Sequence, residues 1–214
     1  MLLLSVLLSY KIPHDSYSVA QYIIKPIRNE GGGVFYPSSL IPLTIGLIGI
    51  IEFVNLERFA NKSKILITLL ALVIIIPLMK WSIDFTRTNY YWIRQDHLNA
   101  VDIEDPHISL SSINNKVTIN MAFDLKDYSR SKNEFKIRVY LPKSLSEFSG
   151  IKTYESEKSY LTYGNRNKLS VDESIVIDSN KDINQIFDSK WYREDVIYEL
   201  YNEDEVIRII EHGQ

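Results

Sequence analysis

Two hydrophobic rhythms divide the chain. Residues 65–79, ILITLLALVIIIPLM, run without a charge, whereas beyond residue 100 apolar and polar residues alternate one by one. Fifteen helical residues rise only about 22 Å, and a bilayer core needs roughly 20 residues. The flanks close that gap. Ser63 and Lys64 precede the first turn, and Trp81, Ile83 and Phe85 continue past Lys80, whose long stem can carry its ammonium to the headgroups. Pro77 fits a membrane helix better than a soluble one. A second apolar stretch covers residues 35–54, with LIPLTIGLIGII at its centre and Glu52 just beyond. Gly46 and Gly49 give this helix small surfaces that another helix can approach closely, glycine merely tolerated being the plainer alternative. The pattern predicts two full spans. MLLLSVLL at residues 1–8 is too short for a third and reads as a short or truncated first apolar helix, or as an interfacial segment.

The alternating rhythm predicts strands. In residues 116–125, Val117, Ile119, Met121, Phe123 and Leu125 interleave with polar neighbours, and residues 134–141 repeat the pattern with Phe135, Ile137, Val139 and Leu141. The polar KDYSRSKN between them makes the two strands expected antiparallel neighbours. Further strands are expected at residues 107–112 and 169–177, a short helix at residues 182–191, and a C-terminal hairpin turning at Asn202, Glu203 and Asp204. The expected fold is a membrane α-helical N-terminal region followed by an all-β, sandwich-like soluble domain with one short helix. An immunoglobulin-like topology is one arrangement of it, without the Cys-Trp-Cys signature. The acidic VDIEDPH, broken by Pro106, reads as a connection and sets the boundary: residues 1–100 anchor in the membrane and residues 101–214 form the β domain.

Charge follows the same division. Of the 214 residues, with formal charge −3, residues 1–80 carry seven Lys and Arg against four Asp and Glu, and the remainder seventeen against twenty-three. The acidic balance argues against a nucleic-acid partner. The short loop holding Arg58, Lys62 and Lys64 is dense in positive charge and determines the expected topology: loop in the cytoplasm, β domain outside. Lys25, Arg28, Lys80, Arg87 and Arg94 flank the other ends, so the raw count opposes the density. Lys80, Trp81, Tyr90, Tyr91 and Trp92 suit a membrane interface. Abundant Ile, Asn, Lys and Tyr fit an AT-rich bacterial genome.

Catalytic motifs are sparse. There is no cysteine, hence no thiolate metal site or cysteine nucleophile, and the four histidines stand far apart. No zincin, nucleophile-elbow or phosphate-loop pattern is present, and Gly31–Gly33 lacks the following Lys-Ser or Lys-Thr. No cofactor is expected. The weak metal candidates are Asp178, Asn180 and Asp182, spaced like calcium ligands but followed by Ile183 where that loop needs glycine. Asp102, Glu104, Asp105 and His107 form an acidic cluster better explained as a solvated linker, and Tyr154, Tyr160 and Tyr163 as strand residues rather than sugar platforms. The expected function is a multi-pass protein of the cell membrane whose extracytoplasmic β domain binds a protein partner in the membrane or envelope. The alternatives are an accessory subunit of a transporter or sensor, and a cell-envelope enzyme.

Overall fold

The computed structural model describes residues 1–28, 34–94, 97–113, 116–164, 167–178 and 190–213. These form two compact units, one of Met1–Ile12 with Tyr17–Arg87 and one of Pro13–Ser16 with Thr88–Gln214.

The first unit is helical. It contains α1 (Leu2–Leu8), α2 (Val19–Ile23), the two-stranded hairpin of β1 (Ile27–Arg28) and β2 (Val34–Phe35), and α3 (Leu40–Val54). Helix α4 (Lys64–Leu70) continues through a π-helical turn, Ala71–Ile75, into α5 (Ile76–Arg94), whose last turns belong to the second unit. Together they make one 31-residue helix. Pro77 cannot donate to the Val73 carbonyl and its ring crowds that oxygen, so the wider π turn containing Val73 makes room for it. Hydroxyls along the helix satisfy themselves on the carbonyl four residues back: Thr68 on Lys64, Ser82 on Leu78 and Thr86 on Ser82.

Gly46 and Gly49 serve a close approach within the chain. A Cβ on Gly49 would stand 2.8 Å from the Leu2 amide nitrogen, and one on Gly46 would stand 2.9 Å from Ser5 Oγ. Ser5 Oγ donates to the Pro42 carbonyl at 2.7 Å. The glycine surface of α3 is therefore the seat of α1. Near α1, Ile12 and Tyr17 pair to form the neck of a turn whose tip, Pro13–Ser16, belongs to the second unit.

The second unit contains two antiparallel sheets. One has the order β3 (Val101–Ile113), β4 (Lys116–Asp127), β8 (Asn167–Asp178). The other runs β10 (Val206–Glu211), β9 (Val196–Tyr201), β5 (Asn133–Tyr140), β6 (Thr153–Glu155), with β7 (Tyr160–Thr162) on the other end of β5. Val117, Ile119, Met121, Phe123 and Leu125 of β4 share one core with Phe135, Ile137 and Val139 of β5 and with Tyr198 and Leu200 of β9. Phe123 and Tyr198 meet edge to face at 5.3 Å. Helix α6 (Lys143–Ser149) follows Pro142 and closes on Gly150 in the left-handed conformation, φ 73°. The expected C-terminal hairpin is present as β9 and β10, in register from Val206 opposite Tyr201 to Glu211 opposite Val196.

Two expectations are corrected. Strands β4 and β5 are not neighbours: β4 lies between β3 and β8, and β5 pairs with β9, β6 and β7. A polar loop between two alternating strands fits a hairpin and a crossing between sheets equally well, and here each strand buries its apolar face from the opposite side of the shared core. The acidic VDIEDPH is not a linker but the first half of β3. A bulge between Glu104 and His107, with Asp105 at φ 50°, absorbs Pro106 and interrupts the alternation that would have marked a strand. The helix expected at residues 182–191 lies outside the described residues except at its end, where Trp191–Arg193 is a 3₁₀ turn.

Candidate functional site

Four clusters of buried and half-buried polar groups tie the strands of the β unit together. Asp127, fully buried, accepts from the Ser129 amide (2.8 Å), Asn133 Nδ2 (3.0 Å), Thr162 Oγ1 (2.5 Å) and the Gly164 amide (3.1 Å). It pins the β4–β5 loop to the end of β7. Glu173 points from the core-facing side of β8 at the other sheet, where Tyr154 donates to it at 2.6 Å, Ser156 at 2.9 Å, and Tyr160 through a further short bond. Burial works to raise the Glu173 carboxyl, but the three hydroxyls outweigh it and hold it below its ordinary 4.5. Reciprocally, burial and the Glu173 contact push Tyr160 up to about 12.

The third cluster is a ladder of alternating charge across four strands. Register places Glu155, Arg138, Glu199 and Arg208 side by side on β6, β5, β9 and β10. Arg138 Nη1 donates to Glu199 at 2.8 Å, Arg208 Nε at 2.7 Å and Tyr140 Oη at 2.9 Å, while Arg138 Nε reaches Glu155 at 2.6 Å. Glu199 is only 1% exposed, and these donors overcome the burial that would otherwise raise its pKa. In the fourth, Glu104 bridges Lys126 (3.1 Å) and Lys168 (2.6 Å); burial opposes its ionisation, and the two ammonium groups win, holding it below 4.5. The Glu104 expected in a solvated linker thus ties β3 to β4 and β8. Asp102, likewise, is buried and accepts from the Ile103 amide.

A cleft of about 250 Å³ in the β unit is lined by the β3 bulge at Pro106 and His107 and by the aromatic group of Trp191, Tyr192 and Tyr198; a more polar hollow of about 520 Å³ is lined by Glu134, Lys136, Tyr201 and the β9–β10 turn. Glu211 and His212 also line the cleft. Trp191 Nε1 is shielded from solvent and meets no acceptor among the described residues. Glu194, also in the lining, is engaged with the Ser144 amide (3.0 Å) and hydroxyl, capping the start of α6. The alternation of β9 places Tyr198 inward, but no spacing in the sequence brings His107 to the C-terminal hairpin; that depends on the bulge.

The sequence-derived candidates separate. Of the weak metal set, the backbone of Asp178 ends β8, and Asn180 and Asp182 lie outside the described residues. Among the described residues no group of three or more potential ligands gathers. Lys80 and Trp81 are exposed on α5, with Trp81 stacked on Phe85 at 5.3 Å. Tyr90 is exposed beside Arg94, whereas Tyr91 is 7% exposed, packed with Ala100 and Tyr128. Trp92 lies under the Arg130 guanidinium at 3.4 Å. Arg58, Lys62 and Lys64 are all exposed, and Lys64 Nζ donates to Asn55 Oδ1 at 3.1 Å. Tyr154 and Tyr160 spend their hydroxyls on Glu173, and Tyr163 is exposed. No protein-family model matches the chain, and no curated protein sequence matches it.

Proposed function

We propose that this chain is a multi-pass protein of the cell membrane that presents a β-sandwich outside the cytoplasm as a protein-binding module. The observation that carries the membrane reading is exposure. The two apolar helical stretches, Pro37–Val54 and Lys64–Arg94, have only 22% and 11% of their most apolar windows buried. A core helix of a soluble protein would hide such residues; lipid is the solvent in which exposing them costs nothing. The internally satisfied hydroxyls of Thr68, Ser82 and Thr86 suit the same solvent. The sandwich reading rests on the core shared by two antiparallel sheets, and the outward orientation on the exposed cations of the α3–α4 loop.

For the binding role, the support is the aromatic cleft, whose Trp191 indole N–H meets no acceptor among the described residues, a combination of apolar wall and polar groups suited to a partner's side chain. An accessory-subunit role would be favoured by a partner helix on the glycine surface of α3, and α1 of the same chain occupies that surface. A photo-crosslinking residue in place of Tyr192 should give a discrete adduct in intact cells, and one in place of Val176, exposed on β8, should not. Equal adducts or none at either place would refute a binding cleft. Sidedness has its own test: protease added to wall-stripped cells should remove a tag after Gln214 and spare one at Asn61, and the reverse pattern would put the β domain in the cytoplasm.

A further inference from the structure

Residues Pro13–Ser16 stand at the tip of the turn whose neck is closed by the bridge between Lys11 and Ser18. This tip is part of the β unit. Asp15 bridges Ile210 in parallel register, with the Ser16 amide donating to the Ile210 carbonyl and the Ile210 amide to the His14 carbonyl, each at 3.0 Å. His14 takes φ 62° there, and its own amide donates to Asp102 Oδ1 at 3.2 Å. Four residues thereby strap the edge of β10 to the start of β3.

One histidine fastens the strap. The His212 amide donates to Ser16 Oγ at 2.9 Å. Its ring stands between two carboxylates, with Nε2 3.4 Å from Asp15 Oδ1 and Nδ1 3.2 Å from Asp195 Oδ1. A neutral imidazole has one N–H and can donate to one of them; its other nitrogen then faces a carboxylate oxygen lone pair to lone pair. Only the imidazolium donates to both. Asp15 is 7% exposed, so little water is present to relieve the mismatch.

We propose that His212 is a pH-operated clasp on the Pro13–Ser16 strap, closed by the protonated ring and loosened when the proton is lost. The other ionisable groups around it are accounted for. Glu211 precedes it at the end of β10, and His107 of β3 lines the same cleft. Glu194 is bound by Ser144, Arg193 lies 6.0 Å from the Tyr192 ring, and Asp102 serves the far end of the strap. Histidine changes charge between about pH 5 and 8, so the strap tightens towards the acid end of that range and slackens towards the alkaline end. That sign is opposite to the effect of the carboxylate clusters, which weaken only in stronger acid.

Amide hydrogen exchange of the full chain in lipid nanodiscs tests the clasp, read at Ser16, Ile210 and His212 and corrected for intrinsic exchange. Protection should be about fivefold or more higher near pH 5.5 than near pH 8 in the native chain, flat in H212Q and reduced in D195N. Asp195 is half exposed, so its Asn variant keeps the fold even where H212Q loses it. Protection in the native chain that does not vary with pH, or that varies equally in D195N, overturns the proposal.

Discussion

The two units treat the same apolar side chains in opposite ways. In the helical unit Ile65 and Val73 are 75% and 68% exposed, and Leu66, Leu69 and Leu70 of α4 are exposed as well, whereas Ile67 is buried. In the β unit Leu125, Leu145 and Leu200 are fully buried, and β4 and β5 each hide one face. Polar groups reverse the pattern: the β unit buries Asp127 and Glu199 inside complete sets of donors, whereas α3 carries its acidic Glu52 at an exposed position near its end. The difference teaches that hydrophobicity alone does not specify burial. What decides is the solvent that each face meets, and the proposed membrane reading gives this chain two.

The comparison can be broken most forcefully in the core. Leu200→Ala should cost the β unit about 2–5 kcal/mol in denaturant melts of the full chain in detergent. Leu69→Ala, on a residue 53% exposed in α4, should leave the same melt within about 0.5 kcal/mol. Similar losses from both would mean that α4 packs as a core helix.

An arginine placed on each exposed surface sharpens the contrast. Val73→Arg should penalise insertion by about 2.5–3.5 kcal/mol and lower the membrane-integrated fraction. Val176→Arg, at 59% exposure on β8, should change β-unit stability by less than about 0.5 kcal/mol. Equal tolerance at both sites would contradict two solvents.

Acid should act on the β unit selectively. Glu104, Glu173 and Glu199 are all held below the ordinary carboxylate value of 4.5. A depressed folded-state value means that each contributes stability in full above about pH 4.5 and loses it as pH falls through the lowered value. The near-UV circular dichroism melting temperature should therefore stay level from pH 7 to about 5 and fall below about 4. A decline already complete by pH 5 would place the acid-sensitive groups elsewhere.

The smallest effect belongs to the α1 seat. Gly49→Ala sets a methyl 2.8 Å from the Leu2 amide nitrogen and 3.0 Å from Leu2 Cγ and Met1 Cβ, so α1 must shift, at a cost of about 1–3 kcal/mol. Faster amide exchange at Ser5 and Ser9 would register it, and unchanged exchange would mean that α1 is held by other contacts.

Periodicity revealed most of the elements because each unit meets its solvent regularly. The long uncharged run at residues 65–79 and the alternation through β4, β5 and the C-terminal hairpin follow from one-sided or all-round exposure. It failed where a local device breaks the period. The bulge at Asp105 and Pro106 disguised the start of β3 as a linker, and the pairing of β4 with β8 depends on contacts 40 to 62 residues apart that alternation does not encode. The cleft was illegible for the same reason: His107, Trp191 and His212 come together only through sheet topology. The Gly46 and Gly49 spacing did indicate a close approach, though not that α1 supplies it.

The central claim is that the helices of Pro37–Val54 and Lys64–Arg94 lie in lipid. Alkaline carbonate extraction of membranes from cells expressing the full chain tests it most directly, because high pH strips proteins held by charge or by surface contacts and leaves those held by buried apolar spans. The chain should remain in the pellet and leave it only when detergent is added; recovery in the carbonate supernatant would contradict the account.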